Sequence, residues 1–491
     1  MGFVSILGLP NLRAQQLSLR RAVTPTAAPN EIAKKGAVES VDVAIIGGGP
    51  AGLSLARAVS ERGASVLVIE KDIEKKWPNN YGVWMDELAK VRLDDCVKKS
   101  WPVATVYIGE GQKRVLERPY GRVDVEKMKQ KIRAQCEATG KVKVSSGLAS
   151  SVEHKDSSSI MTFTANGEKD SSQVEAKAIV DATGHALGFV DFTEGHAPGI
   201  QAAYGMEITV PSHPWPVGEM LLMDFRAEHM KGSDKEKKDA DEVPLFFYVM
   251  PMSDTRIFVE ETSLIGRPAV DFDYLKEQCY KRLAYHNVQV RFSDPSLFTR
   301  KSNADFCFIR FEQVEEVHEE EFCYIPMGGG MPLLNQRVIG YGGSAGLVHP
   351  ATGYMFGNAV NRADEVGEAL VNALNDGNLS GAEVSTRVWK QIWSDARLLQ
   401  RDFLVFGGET ILRMKLHELQ YFFDAFFKLP WEQWTQFLSF GLIRPEERLV
   451  FGLGVFLRAS NEVRFKLVFE AIARGQLTLL KSVIPNPFRR N

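Results

Sequence analysis

Residues 41–70 carry the feature that most constrains the fold of this chain. A short β-branched run, VDVAIIG (Val41–Gly47), is followed by glycines, by a helical pattern from Pro50 to Arg62 and by a second apolar run, Ser65–Glu70. This order and this length predict a strand–helix–strand unit of a parallel sheet.

The turn between the first strand and the helix reads GxGxxG, with its glycines at Gly47, Gly49 and Gly52. The first glycine permits a tight turn, the second lets the backbone approach a pyrophosphate, and the third lets helix and strand pack closely. The helix N-terminus offers free N–H groups to phosphates. A carboxylate at Glu70 can accept both ribose hydroxyls and would repel a 2′-phosphate. The unit therefore predicts a dinucleotide site, and Glu70 disfavours NADP.

Two further segments favour FAD over NAD. Asp181–Gly184 (DATG) follows a strand and resembles the second nucleotide-side motif of glutathione-reductase-type flavoproteins. Gly340–Gly353 resembles the flavin-ribityl motif of aromatic-hydroxylase-type flavoproteins, although Gly342 and Gly343 stand where that motif usually carries Gly-Asp. The residues predicted from these segments to contact FAD are Asp181, Gly184, Gly343, Gly346, Pro350 and Gly353. Arg122 is a further candidate for the flavin or a phosphate, with a surface arginine as the alternative.

The remaining pattern divides the chain into five segments. We predict a transit-like segment at 1–40, the first part of an FAD-binding domain at 41–200, a substrate-binding β-sheet domain at 201–321, a return segment of the FAD-binding domain at 322–375, and a helical, membrane-associating region at 376–491. The predicted fold class is α/β, a Rossmann-type domain with an inserted sheet and a helical C-terminal region. Two charged stretches, Lys231–Glu242 and Glu315–Glu321, are predicted to be solvated loops.

Composition excludes several classes of protein. The formal net charge of −3 and the lack of a basic stripe argue against a nucleic-acid partner. The five cysteines are odd in number and contain no CxxC pair, so neither a disulfide framework nor a metal site is predicted. Before Glu31 the chain has arginines but no acidic residue, which is typical of an organelle transit peptide, with a disordered arm as the alternative.

Seven ordered stretches together resemble the plant and algal lycopene cyclases. They are WPNNYGVW (Trp77–Trp84), RPYGRV (Arg118–Val123), DATG (Asp181–Gly184), PxSxxRIFVEETSL (Pro251–Leu264), PMGGGMP (Pro326–Pro332), GGSAGLVHPATGYM (Gly342–Met355) and FFDAFFKL (Phe422–Leu429). The resemblance implies a plastid enzyme that closes the ends of lycopene into β-rings without net redox change. It also implies reduced FAD, NAD(P)H as the electron source, and contact with a membrane and with other carotenoid enzymes.

The implied chemistry requires a carboxylic acid that stays protonated in a dry pocket, because burial raises a carboxyl pKa. FVEET, at 258–262, matches the family's FLEET motif, which implies Glu260 as the proton donor and Glu261 as a supporting or structural acid. Neighbouring side chains on a strand point to opposite faces. A solvated strand end is the alternative for both glutamates.

Further residues are weaker candidates for the substrate pocket. Trp84, Tyr248 and Phe258 are predicted to line it, with a place in the ordinary core as the alternative. Asp224 and Arg226 match another family motif, with a structural ion pair as the alternative.

The tail is predicted to lie on a lipid surface, with a packed helical cap as the alternative. Its apolar residues are Leu416, Leu419, Phe422, Phe423, Phe426, Phe427, Leu429, Trp431, Trp434, Phe437, Phe440 and Phe451–Leu457. Other functions left open are an ε-cyclase, an epoxide-rearranging enzyme, an FAD/NADPH monooxygenase and a non-catalytic carotenoid-binding flavoprotein.

Overall fold

The structure is a computed structural model that describes residues 39–484, apart from residues 187, 196 and 289–315. The predicted transit-like segment and Cys307 lie outside the described residues, except for Glu39 and Ser40 at the segment's end. The predicted domain boundaries at residues 200, 321 and 375 stay predictions.

Strands and helices alternate in the first part of the chain, and helices alone follow after residue 355. The described strands are β1 (Glu39–Ile46), β2 (Val66–Glu70), β3 (Gly82–Trp84), β4 (Val97–Trp101), β5 (Val103–Gly109), β6 (Gln112–Leu116), β7 (Tyr120–Val123), β8 (Val142–His154), β9 (Ser159–Ala165), β10 (Ser172–Asp181), β11 (Gly199–Thr209), β12 (Glu219–Asp224), β13 (Leu245–Pro251), β14 (Arg256–Ser263), β15 (Glu316–Met327) and β16 (Val338–Gly340). The described helices are α1 (Pro50–Glu61), α2 (Met85–Lys90), α3 (Val125–Ala138), α4 (Asp234–Glu242), α5 (Phe272–Tyr285), α6 (Phe356–Asn361), α7 (Ala363–Asn375), α8 (Gly381–Ile392), α9 (Asp395–Ile411), α10 (Leu416–Phe427), α11 (Trp431–Leu438), α12 (Pro445–Arg458), α13 (Asn461–Glu470) and α14 (Gln476–Val483).

The predicted strand–helix–strand unit is confirmed as part of a six-stranded sheet, here called the nucleotide sheet. Its strand order is β1-β2-β8-β9-β10-β16, with β1 also paired to β10. β1 and β2 run parallel, as do β2 and β8 and also β10 and β16, whereas β9 is antiparallel to both of its neighbours. Val43, Ile45 and Leu53 are completely buried between this sheet and its helices. Each such side chain stabilises the fold by about 1.5–3 kcal/mol.

A second, seven-stranded sheet, here called the large sheet, has the order β15-β11-β14-β13-β12-β5-β6. It is antiparallel except between β5 and β12, which run parallel. Helix α5 packs on one of its faces. A small sheet of β3, β7 and β4 completes the described strands.

Both charged stretches that were predicted to be loops form regular structure. Lys231–Glu242 contains helix α4, which begins after the cap residue Ser233. Glu315–Glu321 contains the start of β15, whose residues pair with β11 from end to end. The loop prediction was wrong because this pairing satisfies the backbone of β15 whatever its side-chain charge.

The C-terminal helices bury most of the aromatic side chains that were predicted to meet lipid. Leu419, Phe426, Trp434 and Phe437 belong to a core cluster that also contains Phe225. This part of the tail therefore forms the packed helical cap that was given as the alternative. None of the helices in the described residues is long and apolar enough to cross a bilayer.

Candidate functional site

The GxGxxG turn has the geometry that its three glycines predict. Gly47 adopts a φ of +110°, and a Cβ there would lie 2.5 Å from the carbonyl oxygen of Ala182. A Cβ on Gly52 would overlap the carbonyl oxygen of Gly47. A Cβ on Gly49, by contrast, would meet nothing within 4 Å. Open space therefore lies in front of the helix N-terminus, where a pyrophosphate would bind.

Glu70 lies at the edge of this turn, as predicted. Its carboxylate accepts a hydrogen bond from the backbone N–H of Gly48 at 2.6 Å. The indole N–H of Trp77 donates to the carbonyl oxygen of Gly48 at 3.0 Å. The acid is thus held at the end of β2, where it can reach a ribose.

The DATG turn and the segment that begins at Gly342 meet beside the GxGxxG turn. A Cβ on Gly343 would lie 2.9 Å from the Cα of Gly184, and one on Gly342 would lie 2.8 Å from the Cβ of Ala51. Three backbone segments therefore approach one another at distances that only glycine permits, and they form a cradle.

Asp181 holds this cradle together through its own carboxylate. It is completely buried and accepts hydrogen bonds from the backbone N–H of Thr183 and from the hydroxyl of Ser344, both at 2.9 Å. It also accepts one from the N–H of Phe189 at 3.1 Å. These bonds join the DATG turn to the short 3₁₀ helix Gly342–Ala345, so Asp181 shapes the cradle and its carboxylate is bound by protein groups.

The end of the return segment reaches the large sheet. Gly346 and Gly353 both have positive φ values, of +68° and +73°. A Cβ on Gly353 would lie 2.5 Å from the side-chain oxygen of Gln201 on β11. Pro350 packs with its carbonyl oxygen against Gly408 of α9. Pro350 therefore supports the segment from the helical side, and Gly353 adjoins the sheet.

Four neighbouring strands bring Tyr248, Glu260, Gly205 and Glu321 side by side on one face of the large sheet. Tyr248 pairs with Glu260, Glu260 with Gly205, and Gly205 with Glu321. Gly205 has no side chain, so the carboxyls of Glu260 and Glu321 meet above it, within reach of a shared hydrogen bond. Both side chains keep some accessible surface although protein surrounds them.

The two carboxyls, here called the acid pair, have raised pKa values. Burial raises the pKa of Glu260. The hydroxyl of Thr262 donates a hydrogen bond to its carboxylate at 2.7 Å, which lowers the pKa and so opposes part of this rise. Burial, followed by the charge of Glu260, raises the pKa of Glu321 to about 8. Two carboxylates in contact cannot both ionise easily, so the pair holds one proton near neutral pH.

Arg122, on β7, lies beside the acid pair. Its Nε donates to the side-chain oxygen of Asn80 at 2.7 Å, and its Nη2 lies 2.7 Å from a carboxylate oxygen of Glu207. The backbone N–H of Asn80 donates to Glu321 at 3.0 Å. The Nη1 of Arg122 is buried and has no hydrogen-bond partner within the described part of the chain. Arg122 therefore orders the loop that carries Asn80.

This loop, Trp77–Asn80, joins the two halves of the site. Its first residue bonds to the GxGxxG turn at Gly48, and its last residue bonds to Glu321. The cradle and the acid pair are therefore separated by only a few residues of ordered chain, and they form a single site.

Aromatic side chains form one wall of this site. The ring centroids of Tyr248 and Phe258 are 6.4 Å apart, and those of Tyr248 and Tyr120 are 6.5 Å apart. Trp84 meets Tyr120 edge to face at 4.8 Å. The structure thus brings Tyr248 and Phe258 beside Glu260, as predicted for pocket residues, and reaches Trp84 through Tyr120.

Glu261 does not join the acid pair, because β14 points it to the opposite face. There its carboxylate receives two hydrogen bonds from Arg282 of α5, at 2.8 and 2.7 Å, and both side chains are buried. Asp224, also buried on that face, binds the Nε of Arg226 at 2.9 Å. Glu261 thus takes the structural place that was one of its two predicted roles, and Asp224 and Arg226 form the ion pair that was given as their alternative.

Glu321, Gly205 and Asn80 were missed by sequence reasoning. Glu321 was hidden in an acidic run that was read as a loop. One signal could have found the site: a glycine inside a strand marks a place where another group approaches closely. Gly205 is such a glycine. Its partner on the neighbouring strand, Glu321, is 116 residues away in the chain, so the sequence alone does not show which group approaches it.

The fold defined by these elements is that of the FAD-type flavoproteins. A geranylgeranyl bacteriochlorophyll reductase-like protein from Thermoplasma acidophilum superposes with a TM-score of 0.62 at 17% identity, over 88% of this chain and 100% of that chain. A p-nitrophenol 4-monooxygenase from Pseudomonas putida superposes with a TM-score of 0.55 at 14% identity, over 83% and 99%. The predicted fold class is therefore confirmed.

The chain belongs to the lycopene cyclase family. The family model described as "Lycopene cyclase protein" matches residues 42–292 and 310–465. The chain is 39% identical to a lycopene beta cyclase of Capsicum annuum over 90% of its own length and 82% of that relative. It is 38% identical to a lycopene beta cyclase of Arabidopsis thaliana, again over 90% and 82%. A capsanthin/capsorubin synthase of Capsicum annuum is 35% identical over 87% and 80%.

Proposed function

We propose that this protein is a lycopene β-cyclase that uses Glu260 as its proton donor. The observation that carries this proposal is the acid pair: a carboxyl with a raised pKa, enclosed by aromatic side chains on the face of the large sheet that adjoins the flavoprotein cradle. The names of the most similar relatives support the same reaction.

The reaction needs an acid and a surface that does not capture a cation. Glu260 gives its proton to the terminal double bond of lycopene, and the neighbouring double bond attacks the resulting tertiary cation to close a six-membered ring. Loss of a ring proton then forms the ring double bond, so atoms and electrons balance without net oxidation. The faces of Tyr248 and Phe258 attract a cation without forming a bond to it. Both rings lie next to Glu260 in the sheet.

The cradle fits the ADP half of FAD. The open space at Gly49 suits a pyrophosphate, and Glu70 suits the ribose hydroxyls. The close approach of Gly343 to Gly184 provides backbone groups for the flavin side of the cofactor. Reduced FAD, with NAD(P)H as the electron source, would supply negative charge near the developing cation. The residues of the cradle would bind and orient it.

The C-terminal helices offer a surface on which the enzyme can take its hydrocarbon substrate from a bilayer. We define the apolar face by its eight exposed residues on α12, on α13 and just after α13: Leu449, Val450, Leu453, Leu457, Phe465, Val468, Phe469 and Ile472. Exposed apolar groups of this extent are typical of protein or membrane contacts. A plastid membrane is the proposed location, in agreement with the chloroplastic names of the relatives.

Expression in bacteria that accumulate lycopene tests the proposal. We expect β-carotene from the wild-type protein, whereas ε-rings would indicate an ε-cyclase. Glu260→Gln is expected to retain FAD and to lower turnover by about 10²–10⁴-fold, the usual contribution of a positioned acid. Glu320→Gln, on the opposite face of the same sheet, is the control and should retain activity.

Two results would contradict the proposal. Unchanged lycopene in the presence of bound, reduced FAD would exclude a cyclase. Consumption of one NADPH for each product molecule would indicate a monooxygenase.

The expected loss of product with retained FAD in Glu260→Gln would in turn exclude a protein that only binds carotenoids.

A further inference from the structure

Glu321 has no role in the steps described above, although its position is specified by three separate elements. The pairing of β15 with β11 puts it next to Gly205, and the missing side chain of Gly205 leaves room for its carboxyl. A Cβ on Gly205 would lie 3.2 Å from the Cγ of Glu321 and 2.8 Å from the Cζ of Phe258. The loop residue Asn80 fixes one oxygen of Glu321 through its backbone N–H. The other side of the carboxyl faces Glu260.

The charged groups around the acid pair do not neutralise it. Arg122 is the nearest cation, but its Nη2 forms an ion pair with Glu207 at 2.7 Å, and it also lies 3.9 Å from Glu319. Glu319 in turn lies 3.2 Å from Lys76. Glu207 is also paired with Arg256. Among the described residues, Arg122 is therefore the single cation beside the acid pair, and the second negative charge of an ionised pair would have no counterion of its own.

The remaining titratable groups that face the pair are uncharged at neutral pH. Cys323 lies on β15 and Tyr81 directly follows Asn80, and burial raises the pKa of the Cys323 thiol to about 12. Tyr248 lies on β13 and Tyr120 on β7, and burial raises the pKa values of both hydroxyls. None of these four groups supplies a positive charge that would favour two ionised carboxyls.

We propose that Glu321 shares a single proton with Glu260 and, by its negative charge and its hydrogen bond, keeps Glu260 in the protonated form that donates to the alkene. Glu321 is thus a positioning residue, which acts through Glu260. The inference rests on the proposed function, because it assigns a role in the same proton transfer. No cofactor is needed for this role.

The proton balance of the pair closes over one cyclisation. Before the reaction the pair holds one proton and one negative charge. When Glu260 gives up its proton, its O–H bond breaks, a C–H bond forms, and the pair carries two negative charges opposite one carbocation. A proton returned from the ring carbon or from water restores the starting state.

The pH dependence of Glu321→Gln tests this role. Activity requires a protonated donor, so wild-type turnover should fall as the pH rises through the range in which the pair loses its last proton; burial and the charge of Glu260 raise the pKa of Glu321 to about 8. In Glu321→Gln the negative neighbour is gone and an amide N–H can donate to the carboxylate of Glu260. Both changes lower the pKa of Glu260, so the alkaline loss of activity should move to lower pH by about one unit or more.

Two further variants separate this role from a purely structural one. Glu321→Asp keeps the charge and should restore an alkaline limb close to that of the wild type. Glu320→Gln, its matched control on the same strand, points to the other face and should leave the limb unchanged. A uniformly slower Glu321→Gln enzyme with the wild-type alkaline limb would overturn the proposal.

An infrared titration of the holoenzyme reads the pair without substrate. The carbonyl stretch of a protonated carboxyl should disappear near pH 8 in the wild type and at lower pH in both Glu260→Gln and Glu321→Gln. If neither variant changes the titration, the carboxyls do not share a proton and the inference fails. If the titration changes as expected but no variant or wild-type protein forms a cyclic carotene, the proposed function fails and the shared proton stands.

Discussion

At the scale of single residues, the site depends on which face of β14 each side chain takes. Glu260 and Glu261 are neighbours in sequence with the same chemical group, and burial raises both of their pKa values. Glu260 nevertheless meets another carboxyl, whereas Glu261 meets the guanidinium of Arg282. The alternation of the strand therefore makes one glutamate the proposed proton donor and the other a partner in an ion pair.

Gly205→Ala should damage the acid pair while the protein still folds. Its new methyl group would press on Phe258 and Glu321, and overpacking of this kind costs about 1–3 kcal/mol of unfolding free energy. We expect a loss of cyclase activity greater than the loss of stability explains, measured as turnover per folded, FAD-loaded molecule. Gly218→Ala, whose Cβ would meet nothing within 4 Å, is the control. Full activity in Gly205→Ala would show that the two carboxyls need not touch.

The Glu261–Arg282 pair should affect stability and not chemistry. Arg282→Met leaves a buried carboxylate without its partner, which costs about 3–5 kcal/mol in chemical denaturation. The double variant with Glu261→Met should recover much of that loss, because no uncompensated charge remains. Lys276→Met, on the same helix, breaks a more exposed pair with Glu320 and should cost only about 0–1 kcal/mol. If the double variant were as unstable as Arg282→Met, the unpaired charge of Glu261 would not be the cause of the lost stability.

At the scale of elements, the same residue type serves two purposes within one turn. Gly52 is required for packing of α1 against the turn, since a Cβ there would overlap the carbonyl oxygen of Gly47. Gly49 caps the helix in an extended conformation, with φ −71° and ψ −178°, that any residue can adopt. Its missing side chain therefore matters only for what binds in front of the helix.

Gly49→Ala and Gly52→Ala should consequently fail in different ways. Gly49→Ala is expected to keep the stability of the FAD-free protein within about 1 kcal/mol, because the cap position tolerates the change at modest cost. It should lower FAD affinity by about tenfold or more, since about 1.4 kcal/mol is enough for that loss. Gly52→Ala should lower the thermal midpoint of the FAD-free protein itself. Equal FAD affinity in Gly49→Ala and the wild type, by flavin fluorescence titration, would place the pyrophosphate elsewhere.

At the scale of the whole molecule, the apolar groups of the C-terminal helices are sorted between core and surface. Most aromatic residues of α10 and α11 pack inward, in the cluster that contains Phe225, whereas Tyr421 and Trp431 stay about half exposed. The residues of α12 and α13 that continue the apolar pattern stay exposed, with Phe465 at 77% and Ile472 at 74% of full exposure. We therefore propose the apolar face, and not the aromatic run before it, as the surface that meets a bilayer.

Replacing Phe465, Phe469 and Ile472 together by serine should release the protein from lipid vesicles. Burial of each large apolar side chain is worth about 1.5–3 kcal/mol, so the triple variant should bind vesicles at least about 100-fold more weakly in co-sedimentation. Leu148→Ser, which removes a side chain that is 63% exposed on β8, is the control and should bind as the wild type does. Unchanged binding of the triple variant would mean that another surface meets the membrane.

The sequence by itself determined the parts of this protein whose residues are close together in the chain. The strand–helix–strand unit, the glycine turn with Glu70, the fold class and the assignment of Glu260 and Glu261 to opposite faces all follow from local geometry and period. These features depend on steric limits of the backbone and on strand alternation, which a short segment carries within itself.

Only the tertiary structure decided which distant groups meet. The pairing of β15 with β11 turned an acidic run into a strand and put Glu321 against Glu260 across Gly205. Arg282, on helix α5, forms an ion pair with Glu261. Most aromatic side chains of the tail are buried in the core of the helical cap. Strand register brings together segments that are far apart in the chain, as with Gly205 and Glu321, which lie 116 residues apart. Their free energies come from contacts that no single segment contains.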